Sequence, residues 1–291
     1  MEERKQQIKE FFQLLYGDTD VGHLVIWAKG KEAIAYPANE INKAIDRVDE
    51  LSNEVDTYYG VGLHNKPPAQ GKRGSASDVA AIPGFWLDVD YGPHHKKKGL
   101  PKTFEEAQEL LQSFPLPPSL QIHSGQGLHC YWLFREPWTF EDDGERETAA
   151  NMSKSFAQIF IQAAHNRGWS IDNVSDLARV LRPAGTLNHK PTVRGESPLP
   201  VKIVNSSDVR YNIDDIEQYL PELNEVKSTP AHEPMDRVQT SPSMSDEEVI
   251  RRASEDKREG KVFLQLHKGD IEKYPSASEA EWAYMKILTY W

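Results

Sequence analysis

An α+β fold is the expectation for this chain, and three features of the sequence carry it. Strand-like and helix-like segments interleave through residues 1–225. The run GFWLDVDY at 84–91 is the most strand-like in the chain. Two further apolar runs, 118–123 and 128–134, flank a turn at Ser124–Gly127, the pattern of a β-hairpin.

The elements follow in order. Ile8, Phe11, Phe12, Leu14 and Leu15 recur at helical spacing and predict a helix over 4–16. HLVIWA (23–28) and residues 33–36 read as strands of a hairpin across Lys29-Gly30-Lys31. A helix over 38–53 and a strand over 57–64 come next. KPPAQGKRGSAS (66–77) is too rich in Gly and Pro for a regular element. After the 84–91 strand, helix 103–113 precedes the hairpin, and a long helix, 145–167, ends at Gly168. Strand 200–204 and a short helix 213–220 close this region. VKSTPAHEPMDRVQTSPSM (226–244) lacks periodicity and reads as a linker. Beyond it, Ser245 caps a segment with acids in its first turn, so 246–257 and 277–291 are expected as helices. The domain expectation is therefore 1–225, a linker 226–244 and a small helical unit 245–291.

Composition narrows the function classes. The chain has 291 residues, 38% hydrophobic and 10% aromatic, which suits a packed core. Its formal net charge of −11 argues against blanket binding of duplex phosphates, so any contact with nucleic acid must use local basic patches. The one cysteine, Cys130, allows neither an intrachain disulfide nor a cysteine-rich zinc site, and zinc is not expected. The N-terminus MEERKQQIKEFF is charged from its first residues, and no apolar run reaches about 18 residues. A cytoplasmic protein without a membrane partner is the expectation.

Three constellations can carry chemistry. In Asp88-Val89-Asp90 the two acids share a strand face with Trp86, while Phe85, Leu87 and Val89 share the other. Paired carboxylates near a core repel and lose hydration, and a divalent cation with a taste for hard oxygen, Mg²⁺ or Mn²⁺, removes both penalties. The plainer reading is a strand end whose acids face water. In His123-Ser124-Gly125-Gln126-Gly127-Leu128-His129, two glycines let the backbone approach a ligand, and free N–H groups with a hydroxyl can cradle phosphate. A simple hairpin turn with a half-buried histidine is the alternative. The third is SDLARVLRPAGTLNHK (175–190), where Asp176 is followed by Arg179, Arg182, Lys190 and then Arg194. Guanidinium groups suit phosphates, although a helix-capping Asp176 with surface ion pairs explains the same residues.

The order LDVD, then SGQGLH, then DLARVLRPAGTLNHK resembles the archaeo-eukaryotic primase superfamily, notably the primase-polymerases of phages, plasmids and other mobile elements. The likeness spans roughly residues 55–205. It implies a core sheet like that of an RNA-recognition motif, with the acids on one face, helices on the other, and an N-terminal α/β unit completing a cleft. It also implies template-directed nucleotidyl transfer, with nucleoside triphosphates (NTP or dNTP) as substrate and single-stranded DNA template and primer as partners. Residue by residue, Asp88, Asp90 and Asp176 would bind two Mg²⁺ or Mn²⁺ ions, with Asp172 a weaker candidate for the third acid. His129, with Ser124, Gly125 and Gly127 in its turn, would meet the incoming nucleotide, as would Arg182 and Lys190. Relatives usually carry Pro-Gly before the Thr or Ser, whereas this chain has Pro183-Ala184-Gly185. The C-terminal KVFLQLHKGDIEKYPSASEAEWAYMKILTYW resembles the start of a small helical domain that continues further in such proteins, which implies a fragment of a longer protein, with a helicase domain or partner downstream. Two rival functions remain: a replication initiator that binds origin DNA without polymerising nucleotides, and a metal-dependent nuclease.

Basic loops add candidate DNA contacts. Lys72 and Arg73 lie in the Gly/Pro loop, Lys96, Lys97 and Lys98 follow His94-His95, and Arg179 precedes Arg182. The histidine pair could bind a metal, touch DNA as part of a basic loop, or face solvent. Tyr58, Tyr59, Trp86, Tyr131 and Trp132 could stack bases or pack the core.

Overall fold

The computed structural model describes residues 2–17, 19–69, 71–95, 97–221, 246–255, 260–271, 273–274, 280, 283–285 and 287. The chain divides into two compact units, 1–224 and 225–291. The expected linker, 226–244, lies outside the described residues.

The first unit is a mixed α and antiparallel β structure. Helix α1 (Glu2–Tyr16) buries Ile8, Phe11, Phe12 and Leu15, the apolar stripe that its sequence displays. Strands β1 (His23–Ala28) and β2 (Ile34–Pro37) form the expected hairpin, with His23 opposite Pro37 and Ile26 opposite Ile34. Helix α2 (Ile41–Leu51) follows a turn of 3-10 helix at Ala38–Glu40. The strand expected over 57–64 is two strands, β3 (Thr57–Gly60) and β4 (Leu63–His64). The Val61 N–H bonds Arg179 O, which carries the pairing of β3 with the segment at 179–181 one residue further before the chain turns into β4.

Strand β5 (Val79–Asp90) is longer than its sequence signal because Pro83, which lacks an N–H, sits at a register shift between Ile82 and Gly84. Helix α3 (Phe104–Leu111) starts at Thr103, whose side chain accepts from Glu106 N–H. Strands β6 (Leu120–His123) and β7 (Gly127–Thr139) form the hairpin. Helix α4 (Asp143–Asn166) is capped by Asp142, which accepts from Glu145 N–H, and it closes where Trp169 N–H returns to Ala164 O. Short strands β8 (Val180–Leu181), β9 (Leu187–Asn188) and β10 (Leu199–Pro200) precede β11 (Lys202–Ser206) and helix α5 (Ile213–Glu217).

Nine strands make one sheet in the order β11-β6-β7-β5-β4-β1-β3-β8, with β2 on the outer side of β1. The strands of the N-terminal α/β region therefore extend the sheet that carries the acids. The sheet is also wider than the four strands of an RNA-recognition motif. Phe85 and Trp132 project from β5 and β7 onto Phe156 and Phe160 of α4, and Phe114 after α3 closes the group. Phe11 and Phe12 of α1 set their edges on Tyr59. Burying each such ring contributes on the order of 2–3 kcal/mol. The opposite alternation of β5 leaves Asp88 and Asp90 outside this aromatic layer.

The second unit contains α6 (Asp246–Glu255) and α7 (Gly260–His267), packed around Ala253, Phe263, Leu266, Ala280 and Ile287. Helix α7 was not expected from the sequence, because its polar positions blur the period. Most of 277–291, expected as a helix, lies outside the described residues. Among those described, no helix is long and apolar enough to cross a membrane.

Candidate active site

Asp88 and Asp90 end β5 on one face, with side chains 26% and 32% exposed. The neighbouring strand β7 places His129 directly opposite Asp88 and Gly127 opposite Asp90. His129 is buried, and its Nε2 lies 3.8 Å from Asp88 Oδ1. Asp88 Oδ1 and His129 Nδ1 are both buried without a hydrogen-bond partner, which is costly for polar atoms. Burial, reinforced by neighbouring Asp90, pushes the Asp88 carboxyl up to about 7. Burial, with Arg182 adding its charge, lowers His129 to about 3, so the ring is neutral at pH 7.

The glycines of the turn have separate reasons. Gly125 adopts φ +94°, a left-handed conformation that other residues avoid. A Cβ on Gly127 would lie 2.9 Å from Asp90 Oδ1 and 3.0 Å from Val89 O, so a larger residue would crowd both. The N–H groups expected to be free for phosphate are partly used. Ser124 N–H closes the turn on Gly127 O, and Gly125 N–H points to His123 Nδ1 at 3.3 Å.

The third motif reaches this turn from across the fold. Asn188 donates from Nδ2 to Ser124 O at 2.8 Å, and Trp86 Nε1 donates to Val174 O at 2.7 Å. Arg182, Lys190 and Arg179 all draw the Asp88 carboxyl downward against its burial. Lys190 is exposed. Arg182 is not: it forms a buried ion pair with Asp56 at 2.8 Å and also donates to Tyr58 Oη. Asp56 accepts from His189 N–H as well. Arg182, expected beside a triphosphate, thus has a structural partner on the strand side.

Asp176 is the acid of the third motif. Its carboxylate pairs with Arg179 at 2.5 Å and is half exposed. Arg179, expected on DNA, is the other half of that pair. Among the described residues no three His, Cys, Asp or Glu side chains form a ready cation cage. The pair Asp88 and Asp90 does fit a divalent cation on its own terms, with two oxygen donors on one strand face and a buried Oδ1 that has no other partner.

Several other expectations find their places. Lys97 pairs with Asp172 at 2.5 Å, which occupies the weaker candidate for a third acid. Lys72, Arg73 and Lys98 are exposed. Lys96 lies outside the described residues. His94 faces solvent, but His95 bridges the site: its Nδ1 is 3.2 Å from Asp90 Oδ2 and its Nε2 is 2.9 Å from Gln126 O. The hydrogen bond to Asp90 raises the His95 pKa. Burial pushes Asp90 up, but the His95 hydrogen bond and charge outweigh it, and the net direction is down. Sequence reasoning named the histidine pair without choosing His95, and it missed Asp56 and the clasp made by Asn188. The one available signal for Asn188 was its place inside the third motif.

Two solved structures match this chain. The AEP domain of the cyanophage S-2L primase-polymerase is 18% identical over 75% of this chain and 98% of that one, with a TM-score of 0.49. Primase RepB' is 11% identical over 74% of this chain and 61% of that one, with a TM-score of 0.45. No protein-family model matches this chain, and no curated protein matches it.

Proposed function

We propose that residues 1–224 catalyse template-directed nucleotidyl transfer, as a primase or DNA polymerase of the mobile-element type. One observation carries this reading: three motifs from distant parts of the chain meet around Asp88. His129 faces it across the sheet, Gly127 lies under its partner Asp90, and the segment bearing Arg182 and Lys190 is tied to the same turn through Asn188.

Asp88 and Asp90 would hold Mg²⁺ or Mn²⁺, and Asp176 would join them only by leaving Arg179. Divalent ions in such a site lower the pKa of the attacking 3′-hydroxyl and offset charge on the departing pyrophosphate. Neutral His129 supplies a hydrogen bond rather than a charge to the incoming nucleotide. Lys190 adds a mobile cation for the triphosphate. The bond formed joins the 3′-oxygen to the α-phosphorus, and the bond broken releases pyrophosphate. Single-stranded template and primer are the partners in this reading, and helicase activity would belong to another domain or protein.

The test is one incubation with a single-stranded template, Mn²⁺ or Mg²⁺, and labelled NTPs or dNTPs. Extension that Asp88→Ala abolishes is the expected result. Strand cleavage without triphosphates would instead indicate a nuclease. Sequence-specific duplex binding with no product would indicate a replication initiator.

A further inference from the structure

Trp27 of β1 and Tyr58 of β3 are register partners, and their ring centroids lie 5.0 Å apart with planes 31° from parallel. Both are half-buried, while their chain neighbours Ile26 and Tyr59 are sealed in the core. A guanidinium covers each end of the pair. Arg73 lies 4.7 Å from the Trp27 ring centroid, and Arg182 lies 4.6 Å from that of Tyr58. Arg182 in turn acts on Asp88 and His129. The row therefore runs from the Gly/Pro loop to the acid pair.

A groove of about 630 Å³ opens beside Trp27, lined also by Lys66, Pro67, Pro68, Lys72 and Arg73. Its acid, Asp78, is already bonded to the Ser75 N–H and hydroxyl. The three cations of the groove are exposed. In a chain of net charge −11 this is a concentrated basic surface next to a half-buried aromatic pair.

We propose that Trp27, backed by Tyr58, is a stacking platform for the bases of single-stranded DNA, with Lys66, Lys72 and Arg73 holding its phosphates. Every base has a π-face, so aromatic stacking beside a basic groove binds single strands with little regard to sequence. Arg73 covers the indole in the free protein through a cation–π contact. An arriving base takes its place, and the freed guanidinium turns to a phosphate, for which its fork is suited. Duplex DNA presents no free base faces and does not use the platform. The proposal deepens the nucleotidyl-transfer reading by assigning the path of the template, and it rests on that reading only for the word template.

The experiment measures binding of the full chain to a labelled oligothymidylate by fluorescence anisotropy, with EDTA present and no nucleotide. A companion oligonucleotide carries 2-aminopurine, whose emission falls when it stacks. Trp27→Ala is expected to weaken binding about tenfold or more and to abolish the quenching. Trp27→Phe keeps a ring in the same place and is expected to fall between the two, with a circular dichroism spectrum like that of wild type. Arg73→Ala tests the exposed partner without touching the sheet. Unchanged affinity and quenching in both Trp27 variants would overturn the proposal, and so would a blunt duplex competing as well as the single strand. Trp27-dependent binding without any primer extension by wild type would leave the platform standing and remove the polymerase reading. Normal extension with no dependence on Trp27 would do the reverse.

Discussion

Asp88 and His129 are Cα partners across β5 and β7, and each has a buried polar atom, Asp88 Oδ1 and His129 Nδ1, with no hydrogen-bond partner. Folded proteins rarely leave such atoms unmatched, and the ones that persist tend to mark a functional site.

Metal should therefore stabilise this protein through Asp88. A thermal melt with Mn²⁺ near 100 times its dissociation constant is expected to show about 2.7 kcal/mol of added stability. Asp88→Asn is expected to lose that increment while melting no earlier than wild type without metal, since the substitution removes a poorly solvated carboxyl. An equal Mn²⁺ response in wild type and variant would remove Asp88 from the cation site.

Gly127→Ala is a conservative change with a specific target. The added methyl would crowd Asp90 Oδ1 at 2.9 Å and Val89 O at 3.0 Å. Primer extension is expected to drop at least tenfold, about 1.4 kcal/mol of transition-state stabilisation, and the Mn²⁺ response should shrink with it. Extension at the wild-type rate would show that Asp90 tolerates the displacement.

The ion pair of Asp56 and Arg182 supports the frame of the site, and both side chains are about 5% exposed. Asp56→Ala leaves a buried guanidinium unpaired and is expected to cost about 3–5 kcal/mol in urea unfolding. The double variant Asp56→Leu with Arg182→Met should regain much of that loss. A single variant as stable as wild type would mean that the pair is solvated in solution.

Stability should also fall with acidity through His64. The residue is buried with both ring nitrogens unpartnered, and burial lowers its pKa below 6.5. Below pH 6.5 the unfolded chain gains a proton that the folded chain refuses. The contribution of His64 is thus fully present above pH 6.5 and is lost as pH falls beneath it, at up to about 1.4 kcal/mol per pH unit. His64→Leu is expected to flatten this part of the urea-midpoint profile between pH 7.5 and 5.5. Parallel profiles for the two proteins would exclude His64 as the source.

Much of the site could be read from local pattern. Period-two alternation placed Asp88 and Asp90 on one face, and the glycine turn placed His129 on the strand after it. What escaped depends on contacts between residues far apart in the chain. Asp56 meets Arg182 across 126 positions, and Asn188 meets Ser124 across 64. His95 could not be separated from His94 because both sit in the same basic loop, and only folding turns one of them onto Asp90. Trp27 looked like an ordinary strand residue, since a half-buried ring leaves no mark on the local sequence. The split between β3 and β4 was likewise invisible, because it follows a change of partner: β3 pairs with β8, more than a hundred residues downstream, whereas β4 pairs with β5.

The strand order β5-β4-β1 has a metric consequence. Adjacent strands are spaced about 4.8 Å apart, so the lateral step from the acid-bearing strand to the one carrying Trp27 is roughly 10 Å. Hydrogen bonds through the sheet hold that interval, much as marks are held on a ruler. A loop insertion could lengthen what lies beyond the edges, yet it would leave the gauge between these two strands unaltered.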